Sequence, residues 1–85
     1  MPTISKFLGI LIKMFANEHN PPHFHAEYQG YIISVQIKTG VVEGKFPRRA
    51  LNHVLEWLEL HREELLENWD LLTQGKEPNK IEGLE

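Results

Sequence analysis

Two runs of alternating polar and apolar residues, joined by a short turn, constrain the fold of this chain most strongly. His23–Tyr28 alternates, and Tyr31–Lys38 alternates again after Gln29–Gly30. A two-residue connection between such runs is typical of a tight β-hairpin. The sequence therefore predicts an antiparallel hairpin with one polar face and one apolar face.

The turn also predicts the register of this hairpin. If Tyr28 pairs with Tyr31, every opposed pair along the two strands is fixed. The predicted pairs are His23 with Gln36, Phe24 with Val35, His25 with Ser34 and Ala26 with Ile33. A slip by one residue would move the polar side chains to the core face, so the pattern specifies this register strongly.

A second turn at Thr39–Gly40 predicts a further strand within Val41–Phe46. The predicted pairs are Gln36 with Glu43, Ser34 with Lys45, Ile37 with Val42 and Ile33 with Phe46. Before the first hairpin, Thr3–Phe7 reads as a short strand, and a bend at Leu8–Gly9 leads into a further alternating run up to Phe15.

Pro47 ends the sheet, and apolar residues at helical spacing follow it. They are Leu51, Val54, Leu55, Leu58, Leu65, Trp69 and Leu72. One helix over residues 48–74 would be about 40 Å long, so we expect two helices with a break near Leu60 and His61. The predicted fold is α+β: an antiparallel sheet of three to four strands with two C-terminal helices packed on one face.

Composition limits the architecture and the chemistry. The chain of 85 residues predicts a single compact domain over residues 1–75, followed by a polar, loosely ordered tail over residues 76–85. The absence of cysteine excludes disulfides and thiolate zinc sites. A net charge of −3 argues against a broad phosphate-binding surface. The N-terminal apolar run is too short to span a membrane, so we expect a cytoplasmic protein without membrane contact.

The segment EHNPPHFHAEY, Glu18–Tyr28, carries the main candidate site. His23 and His25 are two residues apart on a predicted strand, so their side chains point the same way and can chelate one divalent metal ion. Glu18 or His19, from the loop stiffened by two prolines, would complete the nitrogen and oxygen ligands. The sequence thus indicates a candidate metal site made of Glu18, His19, His23 and His25.

Two metal-free interpretations use the same residues. In the first, His19, His23 and His25 are catalytic groups that move protons, since imidazole titrates near neutral pH, and a basic residue stabilises a phosphate. Arg48 and Arg49, at the predicted helix start, favour anions. In the second, His19 and His23 fasten the proline loop by hydrogen bonds to the backbone, and His25 is a solvated strand residue without a chemical role.

These segments together resemble the small prokaryotic family called domain of unknown function 4160. The resemblance is carried by IxKFxGI at residues 4–10, NEHNPPHFHAEY at residues 17–28, PRRAL at residues 47–51 and VLEWLELHREELLENW at residues 54–69. Members of that family resemble stand-alone domains, often encoded beside a second small protein in an arrangement similar to toxin and antitoxin pairs. The resemblance implies that the family's functional set corresponds to Glu18, His19, His23, His25, Arg48 and Arg49.

Three functional hypotheses follow. The first is a toxin-like component of a two-gene module that acts on or binds RNA, or a small protein partner encoded nearby, through a His/Arg face. The second is a non-catalytic interaction domain. It would form a homodimer or bind the gene neighbour through Trp57 and Leu60, which fall off the helical stripe, or through a sheet edge. The third is a metal-binding hydrolase with histidine and carboxylate ligands.

Overall fold

Five antiparallel strands form one sheet whose spatial order is the order of the chain. The computed structural model describes residues 3–16 and 18–84, so Met1, Pro2, Asn17 and Glu85 of the predicted domain, motif and tail lie outside the described residues. The elements are β1 (Thr3–Phe7), β2 (Ile10–Lys13), β3 (His23–Tyr28), β4 (Tyr31–Gln36), β5 (Val42–Gly44) and α1 (Arg48–Thr73). The predicted α+β class is confirmed.

The predicted number of strands is wrong, because the N-terminal region makes a complete hairpin. Leu8 and Gly9 have φ angles of 51° and 78°, and this pair of left-handed residues reverses the chain. Phe7 consequently lies opposite Ile10, and β1 pairs with β2 along its length. The sheet therefore has five strands, one more than the upper limit that we expected.

The register of β3 with β4 agrees with the prediction at every pair, including His25 opposite Ser34. The register of β4 with β5 is shifted by two residues, since Ser34 lies opposite Glu43 instead of Lys45. The cause is a longer turn: Gly40 donates to the Gln36 carbonyl, so the reversal takes five residues, 37–41, instead of two. A shift of two residues keeps each side chain on its predicted face.

The C-terminal half of the chain forms one helix, so the prediction of two helices is wrong. No proline or glycine interrupts residues 48–73, and α1 runs through all 26 of them. The helix is kinked at His61, whose φ and ψ of −123° and 21° are not helical, at the position where a break was expected. Arg62 donates from Nε to the Ile37 carbonyl across 2.9 Å, which fastens the kink to the turn after β4.

One face of the sheet packs against α1 and forms the core. Phe24 and Ala26 of β3 are fully buried there, as is Trp57, which stacks on Phe7 at a centroid distance of 5.4 Å. The assignment of Trp57 to a partner surface is therefore wrong. Trp57 lies three residues after Val54, a spacing that puts both side chains on the same face of a helix.

Residues 76–84 run back along α1 and β1. The Ile81 amide donates to the Ile4 carbonyl across 2.8 Å, and the Trp57 indole donates to the Glu82 carbonyl across 2.9 Å. The Asn68 side chain exchanges two hydrogen bonds with the backbone of Asn79. These hydrogen bonds tie part of the predicted loose tail to β1 and α1.

Candidate metal centre

His23 and His25 lie side by side and project from β3 to the side opposite Phe24, which Trp69 of α1 reaches at His23. Phe24, between them, points into the core and is fully buried, while the two imidazoles keep 15% and 24% of their side-chain surface exposed. This sidedness is the direct result of strand alternation in β3. The two rings lie edge to face with their centroids 5.3 Å apart.

The loop before β3 brings Glu18 to both imidazoles. Its Oε1 atom lies 3.3 Å from Nε2 of His23 and 2.6 Å from Nε2 of His25. One ligand atom from each of the three residues lies within 4.8 Å of the others. Of the four predicted metal ligands, the structure thus brings three together.

A backbone hydrogen bond fixes the proton of His23. Its Nδ1 lies 2.8 Å from the carbonyl oxygen of Pro21, and because a carbonyl only accepts, Nδ1 must carry the proton. In a neutral ring, Nε2 is then the atom with the free lone pair, and it faces Glu18. Metal-ligating histidines commonly donate their other ring N–H to a backbone carbonyl in this way. The same bond also fastens the proline loop, as the second metal-free interpretation expects for His23.

Two aromatic residues hold the imidazoles from either side. Phe15, after β2, packs edge-on against His25 at 5.0 Å, and Trp69 of α1 lies against His23 at 5.2 Å. The Trp69 indole also donates to Asn20 Oδ1 across 3.2 Å, so α1 supports the loop as well. The sequence gives no sign of this support, because helical spacing identifies Trp69 as an apolar helix position and contains no signal for its contact with β3.

Glu18 is held as a carboxylate. The hydrogen bond from His25 lowers the pKa of Glu18 below its ordinary value, and the closeness of His23 acts in the same direction. Partial burial raises the pKa but is outweighed. Deprotonated carboxylate is the form that binds a cation.

His19 stands apart from the three-residue cluster. It is exposed and lines an open concavity beside His23, so it borders the site without contributing one of the three converging ligand atoms. The other residues that line this concavity are Asn20, Pro21, Ser34, Gln36 and Glu43.

The two arginines lie at the opposite end of the sheet from the histidines. Arg49 borders a separate concavity together with Tyr28 and His53, and Arg48 begins the same helix. Tyr28 and His23 are the two ends of β3, five residue steps or roughly 16 Å apart. The structure does not bring Arg48 or Arg49 to the imidazoles.

The three converging atoms have the chemistry of a transition-metal site. Zinc binds imidazole nitrogen and carboxylate oxygen at about 2.0 to 2.2 Å, which separates tetrahedral ligands by about 3.3 Å. The Glu18–His23 pair already has a separation of 3.3 Å, whereas the Glu18–His25 pair, at 2.6 Å, must open slightly to admit an ion. Three protein ligands would leave a fourth position for water or a substrate.

Comparison with known proteins gives a family and no closer relative. No curated protein and no solved structure matches the chain. A family model described as Domain of unknown function (DUF4160) matches residues 9–70, a range that contains the cluster, β2 to β5 and most of α1. The chain belongs to this family of domains of unknown function.

Proposed function

We propose that this protein binds one divalent transition-metal ion through Glu18, His23 and His25 and uses it for hydrolytic chemistry. The observation that carries the proposal is the convergence of one carboxylate oxygen and two imidazole nitrogens within 4.8 Å of one another. The bond from His23 Nδ1 to the Pro21 carbonyl supports it, because this bond turns the other ring nitrogen toward the cluster.

Three converging ligands among residues 3–16 and 18–84 favour a catalytic centre over a structural one. Structural zinc sites are closed by four protein ligands, whereas catalytic sites use three and keep a position open. A metal ion in such a site lowers the pKa of bound water and polarises a carbonyl or phosphoryl oxygen. Phe15 and Trp69 contact the two imidazoles, so residues outside the ligand set fix the positions of the ligands.

The RNA-directed hypothesis has less support from the geometry. It requires an arginine beside the histidines to stabilise a phosphate, and Arg49 instead borders a concavity with Tyr28 and His53. The net charge of −3 also opposes binding of a polyanion. A cytoplasmic role in a two-gene module is compatible with the metal centre, and we retain it as part of the proposal.

Binding of a small protein partner is a second candidate function. Leu60 on α1 and Ile32 on β4 are 64% and 59% exposed, unusually high values for large aliphatic side chains. With Trp57 buried, Leu60 and the β4–β5 side of the sheet are the surfaces on which this hypothesis rests. Leu60→Asp should then abolish co-purification with the product of the neighbouring gene, while zinc binding persists; undiminished co-purification would remove this role for Leu60.

A metal titration tests the proposed function. Metal-free wild-type protein is titrated with Zn²⁺ in a calorimeter, and we expect about one equivalent to bind. Glu18→Gln should weaken binding at least about tenfold, since losing even an outer-shell partner has that effect. Glu27→Gln is the matched control, because Glu27 lies on the same sheet face but pairs with Lys13 at 3.0 Å.

Two results would overturn the proposal. One is the absence of stoichiometric binding to the wild-type protein. The other is equal affinity of the Glu18 and Glu27 variants, which would mean that zinc binds elsewhere. Circular dichroism on each variant separates loss of the ligand from loss of the fold.

A further inference from the structure

A row of directly opposed residues crosses the open face of the sheet from the metal centre to the edge strand. His25 of β3 lies opposite Ser34 of β4, and Ser34 lies opposite Glu43 of β5. With strands about 4.8 Å apart, the backbone of Glu43 is roughly 10 Å from that of His25. The two-residue shift of β5 is what puts a carboxylate, instead of Lys45, in this row.

The concavity along this row offers hydrogen-bond donors. Gln36 uses its carbonyl oxygen to accept from Thr39 Oγ1, and Asn20 uses its own to accept from the Trp69 indole. Within residues 3–16 and 18–84, neither amide NH₂ group has a hydrogen-bond partner in the concavity. Both are therefore free to donate to carbonyl oxygens of a ligand.

The charge of the concavity is negative. Glu43 is the one lining residue there with a full formal charge, it is exposed, and among the described residues it makes no ion pair. Lys13, next to His25 across the sheet, is held by Glu27, and Lys45 does not line the concavity. A ligand group with a positive charge is therefore favoured beside Glu43.

We propose that the metal centre takes a peptide with a lysine or arginine side chain, whose cationic group pairs with Glu43. This inference rests on the proposed metal-dependent function and names its substrate class. A peptide carbonyl would occupy the open coordination position, and the amides of Asn20 and Gln36 would bind neighbouring peptide carbonyls. The ion would polarise that carbonyl; in hydrolysis a water oxygen would add to the carbonyl carbon, the C–N bond would break, and the departing nitrogen would take up a proton from that water.

The experiment measures the charge preference of the loaded protein. Zinc-loaded wild type, Glu43→Gln and Glu43→Lys are titrated into three dye-labelled peptides that differ in one residue, lysine, glutamine or glutamate, and binding is read by fluorescence anisotropy. Glu56→Gln, an exposed position on α1, is the matched control for loss of one negative charge. A single-stranded RNA oligonucleotide serves as the competing class of ligand.

We expect wild type to bind the lysine peptide roughly two- to fivefold more tightly than the glutamine peptide, as an exposed ion pair allows. Glu43→Gln should remove this difference, Glu43→Lys should reverse the order of the lysine and glutamate peptides, and Glu56→Gln should behave as wild type. Each variant should still bind one equivalent of zinc by calorimetry.

The zinc measurement distinguishes the two possible failures. If wild type binds no zinc, the proposed function fails and this inference falls with it. If zinc binds but wild type does not distinguish the peptides by charge, only the inference is overturned. Tighter binding of RNA than of the lysine peptide would also overturn the inference and would support the RNA-directed hypothesis instead.

Discussion

The contacts of Glu18 fit two roles, a hydrogen-bond acceptor in the metal-free protein and the proposed metal ligand. In the metal-free protein its Oε1 accepts from His25 and lies 3.3 Å from Nε2 of His23, and with an ion present it would be the anionic ligand between the two rings. Both roles need a carboxylate, the form that the hydrogen bond from His25 favours by lowering the pKa of Glu18. His23 favours the metal role, because its proton lies on Nδ1 and leaves Nε2 free toward the cluster.

Substitution of single histidines distinguishes ligands from neighbours. His25→Ala should lower zinc affinity at least about tenfold, because it removes one of the three converging atoms. His19→Ala should change the affinity less than about twofold, since His19 contributes no atom to the cluster. Calorimetric titration of both variants checks this, and a larger loss for His19→Ala would mean that the loop rearranges around the ion.

Turn geometry decides which parts of the sheet are predictable. Gln29 and Gly30 have φ angles of 46° and 87°, so two residues complete the β3–β4 hairpin and its register follows from the sequence. The turn after β4 depends on a hydrogen bond from Gly40 to Gln36 and on a Thr39 side-chain contact, and neither leaves a pattern in the sequence. The sequence consequently predicted the face of Glu43 but not its partner.

Substitution of two glycines with positive φ should lower the free energy of unfolding by different amounts. At Gly30 a Cβ meets nothing within 4 Å, so Gly30→Ala should destabilise by about 1 kcal/mol through backbone strain alone. At Gly44, with φ of 109°, a Cβ would lie 2.7 Å from the Ile32 carbonyl oxygen, so Gly44→Ala should cost more, about 2 kcal/mol or above. Urea unfolding of both variants measures the difference; equal losses would contradict the close approach of β4 to Gly44.

The packing of the C-terminal segment, residues 76–84, against the rest of the domain can be measured at Ile81. Ile81 is 5% exposed, and its amide donates to Ile4. Ile81→Ala should therefore lower the free energy of unfolding by about 2 kcal/mol, at the low end for a buried isoleucine. Wild-type hydrogen exchange should show a protected Ile81 amide. An unprotected amide and a loss below about 0.5 kcal/mol would agree instead with the loosely ordered tail expected from composition.

At the scale of the whole molecule, local sequence patterns predicted which side chains share a face of the sheet. Contacts between distant residues determined how α1 packs on the sheet. Alternation gave the two faces of the sheet and put His23 and His25 together. The contact of Trp69 with His23 joins residues 46 positions apart, and burial of Trp57 depends on Phe7 and Phe24 from different strands. Such contacts follow from how α1 crosses the sheet, and no short segment encodes that.

Among residues 3–16 and 18–84, no helix combines the length and apolar character needed to cross a bilayer.

Zinc should stabilise the entire domain if the centre forms only in the folded state. Glu18 reaches His25 across seven positions of chain, an arrangement that unfolding destroys. At a free zinc concentration 100 times the dissociation constant, the free energy of unfolding should rise by about 2.7 kcal/mol. Thermal unfolding with zinc and with a chelator measures the gain. Glu18→Gln at the same zinc concentration should show little gain, and an equal gain in both proteins would point to binding elsewhere.

The most direct test is a histidine side-chain NMR titration with zinc. The chain has five histidines. We predict that at one equivalent of zinc the Nε2 resonances of His23 and His25 shift to metal-bound values. His19, His53 and His61 should keep their metal-free resonances, and His23 Nδ1 should stay protonated by its bond to Pro21. Unchanged Nε2 resonances of His23 and His25, with zinc in excess, would contradict the metal centre.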